Sequence, residues 1–176
     1  MPGAGKTTVA RMLASRFDRA AHIERDLIGH HLIVSGLVPP QGPPRDEAER
    51  QLHLSRRNIV LLANSFAEAG FLTVIDDVVI SPGNLEGSPT ASFRYYLSGL
   101  QARPVRFIQL TPSLEAVRAR DAGRHKQVFD LWSHLDAEMR TWPEPRPGLW
   151  LDSTDMTAEE TVEAILARAS EAVVVR

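Results

Sequence analysis

The chain contains no cysteine, so disulfides and thiolate metal sites are excluded. It also lacks any apolar run near the roughly 20 residues that span a bilayer. No charged start leads into a long apolar stretch at the N-terminus, as a signal peptide would require. These absences make a cytoplasmic protein the expectation, with no membrane partner. Nor is there an excess of positive charge. The formal net charge of the 176 residues is -2, which removes the global basic field that recruits nucleic acid. Aromatic residues are few, at 6%. Trp132, Trp142 and Trp150 are not set among basic residues, so they read as core or pocket wall and not as a base-stacking platform. The six histidines show no metal-ligand spacing, and the adjacent His30 and His31 point to different sides.

What remains is an ordinary globular composition, 43% hydrophobic and 24% charged, sufficient for a single domain over 1–176. Helical and strand signals alternate. Val9, Met12, Leu13 and Phe17 share a helical spacing. "AAHIERD" reads as a short strand, and the proline-rich "LIVSGLVPPQGPP" as irregular chain. The longest helical stretch runs from Arg45 to Ala69, with Leu52, Ile59, Leu62 and Phe66 expected on its apolar face. "FLTVIDDVVI" and "VRFIQLT" lack polar alternation, as parallel strands buried on both faces do. Ser81 to Ser92 reads as a loop, Val128 to Trp142 as a helix, "LWLDST" as the last strand, and a helix starts at Thr157. This alternation predicts an α/β fold with a parallel sheet, in which ligands sit beyond the carboxyl ends of the strands.

The most specific motif is Pro2-Gly3-Ala4-Gly5-Lys6-Thr7-Thr8 before the first helix. It matches the later part of the phosphate-binding pattern G-x-x-x-x-G-K-[ST]. Gly3 and Gly5 let successive backbone N–H groups turn inward. Lys6 supplies a charge for the β- and γ-phosphates, Thr7 a hydroxyl for Mg²⁺, and the helix its positive end. The complete pattern places a first glycine one residue ahead of Met1 and a strand before that. The expectation is therefore that the natural product begins upstream, with about ten more residues supplying a central strand.

Acidic residues follow two of the strands. Asp76 and Asp77 end "FLTVI", and one of them can hold the metal opposite Thr7. Adjacent strand residues face opposite sides, and Asp76 is the choice. Asp26 ends "HIERD" and is the candidate base that orients an acceptor hydroxyl and takes its proton. The competing role for it is a helix N-cap. Arg118, Arg120, Arg124 and Lys126 form a basic stretch, read as a lid over the phosphates at 118–127, against the plainer reading of a solvated face.

Together, "PGAGKTT", the Asp after a short second strand, "GFLTVIDDVVI", "RARDAGRHK" and "LDSTDMTAEETVEAIL" resemble the chloramphenicol phosphotransferase family of P-loop kinases. The wider group includes shikimate, gluconate and adenylate kinases. The resemblance covers nearly the whole chain. It implies a three-layer α/β/α fold with a parallel sheet of order 2-3-1-4-5, of which the first, central strand is missing here. It also implies ATP with Mg²⁺ and transfer of the γ-phosphoryl to a hydroxyl. It matches Lys6 and Thr7 to phosphate and metal, Asp26 to the base, and Arg120 and Arg124 to the lid. Asp152, Ser153 and Thr154 fall where the adenine is flanked. The segment after Asp26 should line the acceptor pocket. It is mostly apolar, with Arg45 only at its end, which favours an uncharged, partly apolar alcohol such as an antibiotic. A sugar acid held by Arg25 or Arg45 is the alternative. Outside catalysis stand a nucleotide-binding regulatory module and an inactive fragment.

Overall fold

The computed structural model describes residues 3–40, 42–79, 92–122, 136–137, 142 and 144–175. The elements run α1 (Lys6–Ala14), β1 (Ala20–Glu24), a π-helical turn (Leu27–His31), α2 (Arg45–Glu68), β2 (Leu72–Asp76) and α3 (Ser92–Gly99). They continue with β3 (Val105–Arg106), β4 (Ile108–Leu110), α4 (Leu114–Ala122), β5 (Leu149–Leu151), α5 (Ala158–Ala167) and β6 (Val173–Val175).

Parallel pairing dominates. β1 runs alongside β2 with Ala20 opposite Leu72 and Glu24 opposite Asp76. β4 runs alongside β5 with Ile108 opposite Leu149. Among the described residues these two ladders are separate, and no described strand bonds to both. Two parallel pairs are described, and the expected five-strand order 2-3-1-4-5 is not seen as a whole. A third ladder was not foreseen: β3 and β6 pair antiparallel. "VRFIQLT" is accordingly split, because the Phe107 N–H turns to the Ala172 carbonyl at 2.8 Å.

Two apolar clusters pack helices onto the strands. One joins Val9 of α1, Leu110, Leu149 and Leu151 of β4 and β5, and Val162 and Ile165 of α5. The other joins Ile23 of β1, Ile59, Val60 and Ala63 of α2, and Tyr96 of α3. Ile59, Leu149 and Val162 are almost wholly buried, each worth about 1.5–3 kcal/mol by transfer from water. The buried stripe of α2 differs from the expected one. Leu62 and Phe66 are exposed, and the face that meets the strands is the one carrying Ile59, Val60 and Ala63. β2 is only partly covered along most of its length, where burial on both faces was expected.

α5 begins as its sequence dictates. The Thr157 hydroxyl accepts from the Glu160 N–H at 3.1 Å, and the Glu160 carboxylate accepts from the Thr157 N–H at 2.8 Å. This reciprocal cap satisfies two of the open donors at the helix start. It also holds the Glu160 carboxyl below its usual range, chiefly through the backbone bond from Thr157. Among the described residues no helix is long and apolar enough to cross a membrane.

Candidate active site

The phosphate-loop residues turn as the motif requires. Gly3 and Gly5 have φ of 83° and 88°, in the left-handed region that side chains other than glycine's rarely adopt. The two differ in surroundings. A Cβ on Gly3 would come within 2.8 Å of Val117 Cγ1, so the loop is pressed against α4, whereas a Cβ on Gly5 would meet nothing. Ala4 is buried between them and Thr8 is exposed. The Gly5 carbonyl accepts from the Val9 N–H at 3.0 Å and starts α1 directly after the loop.

Strand alternation sorts the acidic pair. Ile23 and Ile75 face α2, so Asp76 faces α1 and Asp77, one residue past β2, faces α2. Each carboxylate meets the helix on its side. The Thr7 hydroxyl donates to Asp76 Oδ2 at 2.5 Å. On the other face Arg56 Nε donates to Asp77 Oδ2 at 3.0 Å. Thr7 and Asp76 therefore present a hydroxyl and a carboxylate at one point, an oxygen pair of the kind a Mg²⁺ site takes from protein while phosphates and water complete it. Among the described residues no cluster of three or more His, Cys, Asp or Glu could hold a metal ion without such help.

Lys6 stands between these groups. The residue is half-buried, and loss of water around its ammonium pushes its pKa below the usual 10.5. Asp76, Asp77 and Asp26 pull in the opposite direction, and Arg25 adds to the depression. Lys6, Arg25 and Arg56 thus face Asp26, Asp76 and Asp77, three charges of each sign.

Asp26 precedes the π-helical turn but makes no side-chain cap bond there, and its backbone is already helical. Its carboxylate is 57% exposed, pairs with Arg25 Nη2, and lies 3.6 Å from His30 Nδ1. Both partners, Arg25 and His30, line an open pocket between the turn and α2, walled also by Leu37, Val38, Pro40, Leu52, Gln51 and Ser55. Gln51 shapes this wall. Its side chain accepts from the Val38 N–H at 2.9 Å and donates to the Gly36 carbonyl at 2.8 Å. Gly29 lets the turn lie on α2, since a Cβ there would come within 3.3 Å of Ser55 Cβ. Arg25 lines the pocket too, while Arg45 is exposed and does not.

Arg120 departs from the lid expectation. It lies on α4, and its Nη2 donates to the carbonyls of Ser153, Thr154 and Met156 at 2.6, 3.1 and 3.3 Å. This one nitrogen ties α4 to the 152–156 loop. In that loop Asp152 Oδ1 accepts from the Thr154 N–H at 2.9 Å, a local turn, and Ser153 is buried. Thr154 Oγ1 accepts from the Ser113 N–H at 2.9 Å. These contacts fix the loop's backbone and engage the Asp152 and Thr154 side chains internally. Of the basic stretch at 118–127, residues 118–122 belong to α4; Arg124 and Lys126 lie outside the described residues, as does Trp132. Trp142 and Trp150 are structural: Trp142 is buried against Phe93, Phe107 and Trp150.

Sequence reasoning missed Arg56 and Tyr96. Both bind Asp77, from α2 and α3 respectively. An arginine on the core-facing side of a helix was the available signal for the first.

Solved structures share the fold that carries these residues. A sugar kinase from Janibacter sp. HTCC2649 superposes with a TM-score of 0.69 at 20% identity, over 98% of this chain and 91% of that one. The fold is that of the P-loop small-molecule kinases. The Deinococcus radiodurans tunicamycin resistance protein follows it too, with a TM-score of 0.61 at 16% identity, over 99% and 94% of the two chains. So does the Mycobacterium tuberculosis APS kinase, solved with AMPPNP and APS, with a TM-score of 0.57 at 17% identity over 97% and 93%. No protein-family model and no curated sequence matches the chain.

Proposed function

We propose that this P-loop kinase fold transfers the γ-phosphoryl of ATP to a hydroxyl of a small molecule. The observation that carries the reading is the convergence of Lys6, the Thr7–Asp76 pair and Asp26 at one end of the strands. Gly3 to Thr8 form the cradle for the phosphates. Lys6 offsets the charge that spreads onto the transferring group. Thr7 and Asp76 would hold Mg²⁺, which would supply further charge neutralisation. Asp26 accepts a hydrogen bond from the acceptor hydroxyl and orients it. The new bond forms between that oxygen and the γ-phosphorus, the bond to the β-phosphate oxygen breaks, ADP leaves, and the proton passes to Asp26. The absence of a cap bond at Asp26 supports this role over that of a helix cap.

An uncharged acceptor with an apolar part suits the pocket. Leu37, Val38, Pro40 and Leu52 line it, and the guanidinium there, Arg25, already pairs with both Asp26 and Asp77. A hydroxylated antibiotic belongs to this class, and an antibiotic resistance protein shares the fold. A sugar acid is the second reading, since Arg25 does reach the pocket and a sugar kinase also shares the fold. Incubation with ATP and Mg²⁺ against a panel of hydroxylated antibiotics, neutral sugars and sugar acids separates them. Phosphorylation of sugar acids alone would overturn the neutral-acceptor reading. Tight ATP binding without transfer to any panel member would favour a regulatory module.

A further inference from the structure

Asp77 is buried beneath the site, in a cluster that the transfer itself does not use. Its side chain is 1% exposed and is met from several elements. Arg56 Nε of α2 and the Tyr96 hydroxyl of α3 donate to Oδ2 at 3.0 and 2.9 Å. The Val78 N–H donates to Oδ1 at 2.7 Å, and Arg25 Nε lies 3.2 Å from the same oxygen. Arg25 then reaches on through Nη2 to the Asp26 carboxylate. A guanidinium is planar and rigid, so fixing its Nε fixes where its outer nitrogens point.

We propose that Asp77 is a positioning residue for phosphoryl transfer: by clamping Arg25 it holds the Asp26 carboxylate at the mouth of the acceptor pocket. Because α2 and α3 grip the same carboxylate, their packing reaches Asp26 through Arg25. A buried ion cluster is weak support for stability, since apolar replacements of such clusters are often neutral or better. Its geometry is what a precise carboxylate needs, because displacement by about 1 Å can cost about 100-fold in rate. The inference rests on Asp26 acting as the base and deepens that reading.

Two measurements on Asp77→Asn and Arg25→Lys test it. Lysine keeps the charge, but a single ammonium does not reproduce the planar bridge between Asp77 and Asp26. With radiolabelled ATP and the best acceptor of the panel, each variant should lose about 100-fold in kcat while KM for ATP stays within about twofold. The double variant should be no worse than the single ones, as expected of residues acting as one unit. The second measurement needs no acceptor: the carboxyl carbon NMR resonance of Asp26, identified by its loss in Asp26→Asn, should move in both variants. A variant that melts lower yet keeps kcat and the Asp26 resonance would show a merely structural cluster and overturn the proposal. Should Asp77→Asn not fold, Arg25→Lys on the pocket wall decides by the same criteria. If the wild type phosphorylates no panel member, the kinase reading has failed, and the resonance still reports whether the clamp exists.

Discussion

Replacing Lys6 by methionine should weaken nucleotide binding severely without weakening the fold. The stem and its packing are kept, and only the ammonium is lost. In the free protein that ammonium is held at a cost: desolvation outweighs the pull of Asp76, Asp77 and Asp26, and the pKa lies below 10.5. A pKa lowered by folding means that the unfolded chain binds the proton more tightly. Stability therefore rises as pH climbs from the folded value toward 10.5, and the charged form is the unfavourable one. Lys6→Met removes this cost, so the free variant should melt no lower than the wild type. The loss appears with ATP. A charge pair about 4 Å apart at an effective dielectric of about 20 is worth about 4 kcal/mol, or about 1,000-fold in affinity. Bound phosphates favour the protonated lysine, so wild-type affinity should fall as pH rises through the depressed value toward 10.5, a slope the variant lacks. Calorimetric titration with ATP and thermal unfolding read the two effects. A melting temperature several degrees lower, with ATP affinity within about tenfold of wild type, would refute the reasoning.

Three further outcomes follow from named contacts. Asp26→Asn should slow transfer about 100-fold or more with ATP affinity kept, measured by steady-state kinetics; normal turnover with a lower melting temperature would make Asp26 structural. Asp76→Asn should raise the Mg²⁺ concentration needed for half-maximal transfer about tenfold or more, since a neutral amide then replaces the charged carboxylate of the oxygen pair; an unchanged Mg²⁺ titration would remove Asp76 from the metal site. Thr157→Ala should cost about 1 kcal/mol in chemical denaturation and leave turnover unchanged, because the cap it breaks is distant in role from the site; a change of turnover would contradict that separation.

Much of this architecture is legible from local chemistry. The loop Gly3–Thr8 and the helix start at Thr157 read directly, because each depends on residues close in sequence. β1, β2 and the start of α2 fall within the stretches their composition marks. Long-range pairing is where the reading fails. Val173–Val175 is a strand because β3 bonds to it, and nothing in "EAVVVR" alone specifies that partner. α3 follows a Gly/Pro/Ser stretch and is only two turns long, so the helical spacing of Phe93, Tyr96 and Leu97 goes unread until Tyr96 is seen packing on α2 and β1. The site shows the same division. Alternation along β2 separates Asp76 from Asp77, but charge density alone does not show what Arg120 touches. A guanidinium in a basic run looks like a phosphate clamp until the carbonyls of 153, 154 and 156 are found around it. The buried Arg56 escapes notice because partners 21 residues away in sequence decide its burial.

The measurement that bears most directly on the central claim is transfer of radiolabelled γ-phosphate from ATP to hydroxylated acceptors, run with wild type, Lys6→Met and Asp26→Asn in parallel. The account predicts a labelled, acid-stable phosphate ester with at least one uncharged alcohol, strongly reduced in both variants, while Asp26→Asn still binds ATP. Label transfer that survives in both variants, or ATP binding by the wild type with no labelled product from any acceptor, would contradict it.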